Sequence, residues 1–132
     1  MKELLDRYPD EQIEPLLDAL TDFILHIHDK GVLHHDLNIL NILYRDCGSG
    51  KYDFQLIDIN RMSFYPKLSE RQRLANMRHF NCKPAALMYI LERYATAMNM
   101  DCEMVQMHCM SMRLVDTIRH KFKQRLKFRF RR

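Results

Sequence analysis

The sequence has few residues that interrupt or cross-link a chain. Its 132 residues include three glycines, four prolines and no tryptophan, and no Ser/Gly-rich or Pro-rich stretch resembles a linker. Its four cysteines contain no C-x-x-C pair, which argues against a zinc ribbon or a disulfide framework. With 47% hydrophobic residues, residues 1–132 are predicted to form one domain with reduced thiols.

Long hydrophobic runs are also absent. The charge-free apolar stretch around residues 37–44 is far shorter than the ~20 residues that a spanning helix needs. The N-terminus, MKELLDRYPDEQ, lacks the apolar core and the small-residue cleavage site of a secretory signal. We therefore expect a cytoplasmic protein, with any membrane contact peripheral.

Positive charge is concentrated at the C-terminal end. Residues 1–112 carry 12 Lys and Arg against 16 Asp and Glu, a balance of −4, whereas residues 113–132 carry 9 against Asp116 alone, a balance of +8. In the basic tail, residues 119–132, the cations alternate with Phe122, Leu126, Phe128 and Phe130. This pattern suits an anionic membrane surface, and nucleic acid is not the expected partner. The alternative is a solvated helix end whose apolar residues pack on the domain.

Hydrophobic periodicity predicts a long first helix. Apolar residues recur every three or four positions from Ile13 to Ile27, after a Pro9-Asp10 turn and before Gly31. Acidic residues on the other face, among them Asp18 and Asp22, are expected to be solvated. His26 and His28 lie two apart and do not share a helix face, so we assign them no role.

The rest of the chain predicts a hairpin followed by helices. Residues 42–44 and 54–57 are β-prone and are separated by turn residues. Later helices are predicted to start at Ser69, to run from Pro84 to about Met98, and to run from Cys102 to about Arg119. The fold class expected is α+β, mainly α.

The segment His34-His35-Asp36-Leu37-Asn38-Ile39-Leu40-Asn41 fits the kinase catalytic-loop template H-x-D-L-x-x-x-N. Phosphoryl transfer needs a carboxylate near the acceptor hydroxyl and oxygen ligands for the metal that bridges the nucleotide phosphates. Asp36 and Asn41 can serve these two purposes from one loop. A second acidic metal ligand should follow the next hairpin, and Asp58 stands at the end of its second strand.

With these motifs, the sequence resembles the protein-kinase-like superfamily, and more closely the bacterial lipopolysaccharide core kinases, which phosphorylate Kdo or heptose sugars. HHDLNILNIL is similar to their catalytic loop. DFQLIDINRMSFYP is similar to the metal-binding segment of a related group from Bacteroides-type bacteria, as is the arrangement of residues 73–80 and the helices that follow.

The resemblance implies roles for individual residues and for small molecules. Asp36 would be the catalytic base or hydroxyl-orienting group, and Asn41 and Asp58 the Mg²⁺ ligands in ATP binding. His34 would brace the loop. The expected acceptor is a sugar of lipopolysaccharide or of a lipid A precursor.

Two departures from ordinary protein kinases favour a sugar over a protein acceptor. Ile59-Asn60 follows Asp58 where those kinases have Phe-Gly, and Asn38 stands where many have a lysine. Asn38, although expected near the phosphates, carries no charge. The negative charge of the γ-phosphate must then be neutralised by Mg²⁺ or by another residue.

The nucleotide-binding lobe is not recognisable upstream of the loop. Only 33 residues precede His34, with no Gly-rich loop, strand lysine or partnering glutamate. We therefore expect a kinase-like C-terminal lobe alone, as a fragment, a truncated gene product or a degenerate relative. Such a chain should have weak or absent kinase activity and an exposed apolar surface that the missing lobe or another chain covers.

Two other functions remain open. The chain can be a non-catalytic kinase-like binding module. Less favoured is a metal-dependent phosphohydrolase that uses the His35-Asp36 pair, because that pair belongs on a helix and here it follows Gly31 and precedes a strand.

Overall fold

The computed structural model describes residues 1–130, which form five helices and four short strands. The helices are α1 (Lys2–Leu5), α2 (Glu14–Asp29), α3 (Glu70–Met77), α4 (Pro84–Ala97) and α5 (Cys102–Phe130). The strands are β1 (Val32–His34), β2 (Ile42–Gly48), β3 (Lys51–Leu56) and β4 (Met62–Phe64). The predicted α+β, mainly helical class is confirmed, and the arrangement is compatible with part of a kinase-like C-terminal lobe.

Helix α2 forms as its periodicity predicts. A short 3-10 turn, Glu11–Ile13, leads into it, and the Asp10 side chain caps that turn by accepting from the Gln12 amide. The apolar face is buried and packs on α4, with its central residues Leu16, Leu17, Leu20 and Ile24.

The acidic face of α2 is largely exposed, as expected, and it also contacts α4. Asp18 accepts a hydrogen bond of 2.7 Å from the Tyr89 hydroxyl. Arg93 of α4 pairs with both Asp18 and Asp22, at 3.3 and 3.2 Å. These exposed pairs contribute little individually, but they align α4 along α2.

The segment between α2 and α3 forms two small antiparallel sheets. The predicted hairpin is confirmed as β2 and β3, with Ile42 opposite Leu56 and Tyr44 opposite Phe54. The second sheet, β1 with β4, was not predicted; it places His34 opposite Met62. Strands of three residues are too short to show a period in the sequence, yet this pair joins the segment before Asp36 to the segment after Asp58.

The last three helices start where the sequence signals predict. Ser69 and Gln72 form a reciprocal capping box at α3, and Pro84 occupies the first turn of α4. Helix α5 is longer than predicted because no glycine or proline follows Pro84 to stop it. It continues through the basic tail to Phe130.

The basic tail projects into solvent, so the alternative in which its apolar residues pack on the domain is wrong for the residues described. Phe122 is 63% exposed and Phe128 is 79% exposed. Of the tail as predicted, the Phe130 side chain, Arg131 and Arg132 lie outside the described part. Within residues 1–130, no helix combines the length and the apolar character that crossing a bilayer requires.

Gly31 is required where α2 turns into β1. Its φ is +74°, and a Cβ built there would lie 1.8 Å from the Tyr65 carbonyl oxygen. The Gly31 carbonyl also accepts from the Tyr65 amide at 2.9 Å. This close backbone approach holds the end of β4 against the start of β1.

We expect Gly31→Ala to destabilise the protein far more than Gly48→Ala, its matched control. Gly48 has a similar φ of +81°, but a Cβ added there would have nothing within 4 Å, so its cost is only the left-handed backbone, about 1–2 kcal/mol. Gly31→Ala adds a backbone clash and should exceed the control by about 2 kcal/mol or more. Urea unfolding of both variants measures the difference, and equal losses would contradict this account.

Candidate active site

The loop between β1 and β2 holds Asp36 from two sides. Asn38 caps the 3-10 turn Ile39–Asn41 by accepting from the Leu40 amide at 2.8 Å, and its own amide donates to Asp36 Oδ1 at 2.9 Å. The Asn41 amide donates to the Asp36 backbone carbonyl at 2.8 Å and lies 3.3 Å from Asp36 Oδ2. The carboxylate is therefore oriented before any substrate binds.

Asn38 was expected near the phosphates, and its contacts favour a different role. Both polar ends of its side chain are engaged within the loop, one by Asp36 and one by the Leu40 amide. The residue orients Asp36 and shapes the turn.

His34 lies between the loop and the strand that leads to Asp58. Its ring is fully buried. Nδ1 lies 3.1 Å from the Asp36 backbone amide and Nε2 lies 2.9 Å from the Ile57 carbonyl. Because the backbone amide is a donor, Nδ1 must accept, and the proton resides on Nε2. These contacts support the bracing role that the resemblance implies for His34.

Asp58 adopts an unusual backbone conformation at the end of β3. Its φ and ψ are 58° and 51°, in the left-handed region that costs a non-glycine residue about 1–2 kcal/mol. Two backbone hydrogen bonds hold this segment against the loop: Ile57 to Asn41 at 3.0 Å, and His35 to Arg61 at 2.7 Å. The structure thus brings together Asp36, Asn41 and Asp58.

Arg61 belongs to this site and was missed by the sequence reasoning. Its Nε lies 3.2 Å from Asp58 Oδ2, and its Nη1 lies 3.7 Å from Asp36 Oδ2. The 3-10 turn Ile59–Arg61 follows Asp58. In such a turn residues three apart are eclipsed, so the spacing of Asp58 and Arg61 was the available signal.

The oxygen donors at this site suit a hard divalent cation. Within residues 1–130, the hydrogen bonds leave Asn41 Oδ1 and Asp58 Oδ1 free. Carboxylate and amide oxygens of this kind, supplemented by water and phosphate oxygens, are the donors that Mg²⁺ prefers. The residues present therefore fit Mg²⁺.

The phosphohydrolase alternative gains no support from the geometry. Over the described residues, no group of three or more His, Cys, Asp or Glu side chains is arranged to hold a metal. His35 lies in the loop, with Nε2 2.6 Å from the Ser63 hydroxyl of β4. Its hydrogen-bond partner is therefore a strand residue.

A buried hydrogen-bond chain supports the loop from behind. The Asn76 amide of α3 donates to the His34 carbonyl at 2.6 Å, and Asn76 Oδ1 lies 3.0 Å from His28 Nε2. His28 Nδ1 lies 2.7 Å from the Tyr94 hydroxyl, which accepts from Arg73 at 3.4 Å. One set of proton positions satisfies every contact: each group donates to the next, from Arg73 to the His34 carbonyl.

The treatment of His28 as a residue without a role was wrong. Its ring is fully buried and connects α2 to α3 and α4. Burial lowers the pKa of His28 to about 4, so the ring is neutral near pH 7, as the hydrogen-bond chain requires. The spacing of residues within α2 could not predict this role, because the hydrogen-bond partners of His28 lie on helices that are distant in sequence.

Large apolar side chains are exposed on the loop, turn and strands that carry the site. Leu40, Leu43, Ile59 and Phe64 are all exposed. We call these four residues the apolar rim. They are consistent with the expectation of an apolar surface that another lobe or chain covers.

Comparison with known protein families gives a match. Residues 2–88 match the model of the lipopolysaccharide kinase (Kdo/WaaP) family, a span that includes α2, the β1–β2 loop, both sheets and α3. No curated protein and no solved structure matches the chain.

His28 should make stability depend on pH. The unfolded state takes up a proton near pH 6.5 and the folded state near pH 4, so the stabilisation is complete above about pH 6.5 and falls as the pH drops towards 4. The full loss is about 3 kcal/mol. Urea unfolding between pH 7.5 and pH 4.5 measures it. His28→Gln should reduce this pH dependence, whereas His35→Gln, at an exposed histidine, should keep it; parallel profiles for wild type and His28→Gln would refute the assignment.

Proposed function

Because this chain belongs to the lipopolysaccharide kinase (Kdo/WaaP) family, we propose that it serves phosphoryl transfer from ATP to a hydroxyl of a lipopolysaccharide-core sugar, Kdo or heptose. The observation that carries the proposal is the convergence of Asp36, Asn41 and Asp58 at one open edge of the domain. Family membership supports a kinase in general, and the residues around the site support the choice of acceptor.

Asp36 is placed to receive the acceptor. Its side chain is 37% exposed, so a hydroxyl can reach it, while Asn38 and Asn41 fix its orientation. In the reaction the acceptor oxygen bonds to the γ-phosphorus, the bond to the β–γ bridging oxygen breaks, ADP leaves, and the hydroxyl proton passes to Asp36.

Asn41 and Asp58 are the proposed Mg²⁺ ligands. A bound Mg²⁺ supplies charge neutralisation to the phosphate oxygens. The left-handed backbone at Asp58 and the Asn41–Ile57 hydrogen bond fix the two ligands relative to each other. Such preorganisation saves the cost of assembling the site when the nucleotide arrives.

A sugar acceptor agrees with the character of the loop. Asn38 is occupied with Asp36 and contributes no positive charge, unlike the loop lysine of many protein kinases. The Asp36 side chain is also partly exposed, so its carboxylate is accessible to a sugar hydroxyl.

Helix α5 supports a peripheral contact with an anionic membrane, where such an acceptor is presented. Seven of its eight large exposed apolar residues share one face at 3.6 residues per turn, namely Met104, Met107, Leu114, Val115, Ile118, Phe122 and Leu126; Phe128 lies outside it. Arg119, Lys121 and Lys123 lie at the edges of this face, and Arg125 and Arg129 lie on it. An amphipathic basic helix of this type binds at the interface of anionic bilayers. We therefore propose that the protein works at the cytoplasmic side of the inner membrane.

The non-catalytic binding module remains the second candidate, since the apolar rim also suits a partner protein. Transfer of labelled phosphate from ATP to a Kdo- or heptose-containing core acceptor distinguishes the two. We expect Asp36→Asn to reduce transfer by roughly 10²–10⁴-fold, and Asp46→Asn, at an exposed turn of the hairpin, to leave it unchanged. Transfer that Asp36→Asn leaves unchanged would count against the kinase and favour the module.

Asp58→Asn should weaken the binding of Mn²⁺, which substitutes for Mg²⁺ and can be followed by electron paramagnetic resonance. The substitution removes one of the two proposed metal ligands. A loss of about tenfold or more is expected for a carboxylate ligand. Asp53→Asn is the matched control, because Asp53 is an exposed aspartate paired with Arg45 on the hairpin. Equal affinity of both variants would reject this metal site.

The membrane contact is tested by flotation with vesicles that contain anionic lipid. Lys121→Gln/Lys123→Gln removes two cations from the basic tail and should weaken partition by about 2 kcal/mol. Lys51→Gln/Lys67→Gln removes the same charge from the exposed surface elsewhere and should have little effect. If both double variants float like wild type, α5 is not the membrane contact.

A further inference from the structure

Arg61 is the cation of the candidate site. Within residues 1–130, no other Lys or Arg forms an ion pair with Asp36 or Asp58. Its side chain is 57% exposed, so the guanidinium lies on the open side of both carboxylates. It therefore stands where phosphate groups would approach the loop.

The backbone of Arg61 is fixed although its side chain is free to move. Its amide donates to the Asp58 carbonyl at 3.1 Å, and its carbonyl accepts from the His35 amide at 2.7 Å. The 3-10 turn that starts after Asp58 determines the direction of the side chain. A long, exposed side chain on a fixed backbone can exchange between partners within a few ångströms.

The present partners of Arg61 are groups with other tasks in the proposed reaction. Asp58 is a proposed metal ligand, and Asp36 is the proposed acceptor of the hydroxyl proton. A guanidinium 3.2 Å from Asp58 Oδ2 competes electrostatically with a divalent cation for that carboxylate. When the cation is bound, the charge on Asp58 is neutralised and Arg61 loses its main attraction.

We propose that Arg61 occupies two positions: on the Asp36–Asp58 pair, as in this structure, and on the γ-phosphate once a divalent cation engages Asp58. The inference rests on the proposed function. In the second position Arg61 supplies the positive charge that Asn38 lacks, and its planar fork suits the phosphate oxygens. It donates hydrogen bonds there and exchanges no proton in the transfer.

The first measurement is the affinity of the 132-residue chain for Mn²⁺ alone. Arg61→Gln removes the competing charge and should bind Mn²⁺ roughly two- to fivefold more tightly, a modest gain because the ion pairs are exposed. Arg61→Lys keeps a charge and should stay near the wild-type affinity. Asp58→Asn, which removes a proposed metal ligand, should change the Mn²⁺ affinity in the opposite direction and weaken binding.

The second measurement compares Mn·ATP with Mn·ADP. Wild type should prefer Mn·ATP through the Arg61 contact, and Arg61→Gln should lose about tenfold of that preference, the worth of one charge-assisted hydrogen bond. Arg61→Lys should retain part of the preference, because it keeps the charge without the fork.

The outcomes separate the two hypotheses. If Asp58→Asn lowers Mn²⁺ affinity but Arg61→Gln leaves it unchanged, or if Arg61→Gln weakens Mn·ATP and Mn·ADP equally, the role of Arg61 is overturned and the metal site stands. If Asp58→Asn has no effect on Mn²⁺ binding, the proposed function loses its metal site.

Discussion

The buried imidazole of His34 is the contact on which the candidate site depends. One ring nitrogen accepts from the Asp36 amide and the other donates to the Ile57 carbonyl, so a single side chain ties the β1–β2 loop to the residue before Asp58. Because both partners are backbone groups, the rigid ring fixes the spacing between the two carboxylate-bearing segments. Removing the ring would leave both backbone groups without this partner, which costs about 1 kcal/mol for each lost hydrogen bond.

The support behind His34 explains why the lobe contains buried polar groups at all. Arg73, Tyr94, His28 and Asn76 form a chain of donors that ends at the His34 carbonyl. Burying such groups is unfavourable unless every one is paired. Here the pairing is directional, and it joins α2, α3 and α4 to β1. The polar chain therefore determines how the helices are positioned relative to the loop, which apolar packing alone specifies less sharply.

Local signals in the sequence predicted much of this structure. The period of α2, the capping box at Ser69, the proline at the start of α4 and the hairpin all express short-range chemistry. Asp36, Asn41 and Asp58 could be selected by order and spacing, and the structure brings them together. Their roles in metal binding and catalysis stay predictions until the variants are measured.

The parts that the sequence did not reveal depend on contacts between distant segments. His28 looked like a residue without a role because its partners, Asn76 and Tyr94, lie on other helices. The β1–β4 pair was missed because three residues show no period. Arg61 was overlooked because its importance comes from facing Asp36 across the fold. The length of α5 was underestimated, although the absence of any helix breaker beyond Pro84 was visible.

The exposure of the site limits what its charges can achieve in isolation. Asp36 and Asp58 are 37% and 42% exposed, so water screens their interactions. Electrostatic stabilisation of phosphoryl transfer becomes large only where water is excluded. The apolar rim of Leu40, Leu43, Ile59 and Phe64 offers a surface that a covering lobe or chain would bury, and burial there would strengthen every charge contact around Asp36. In the proposed function, the oriented loop supplies geometry, and the surface that covers the rim determines how much catalysis that geometry yields.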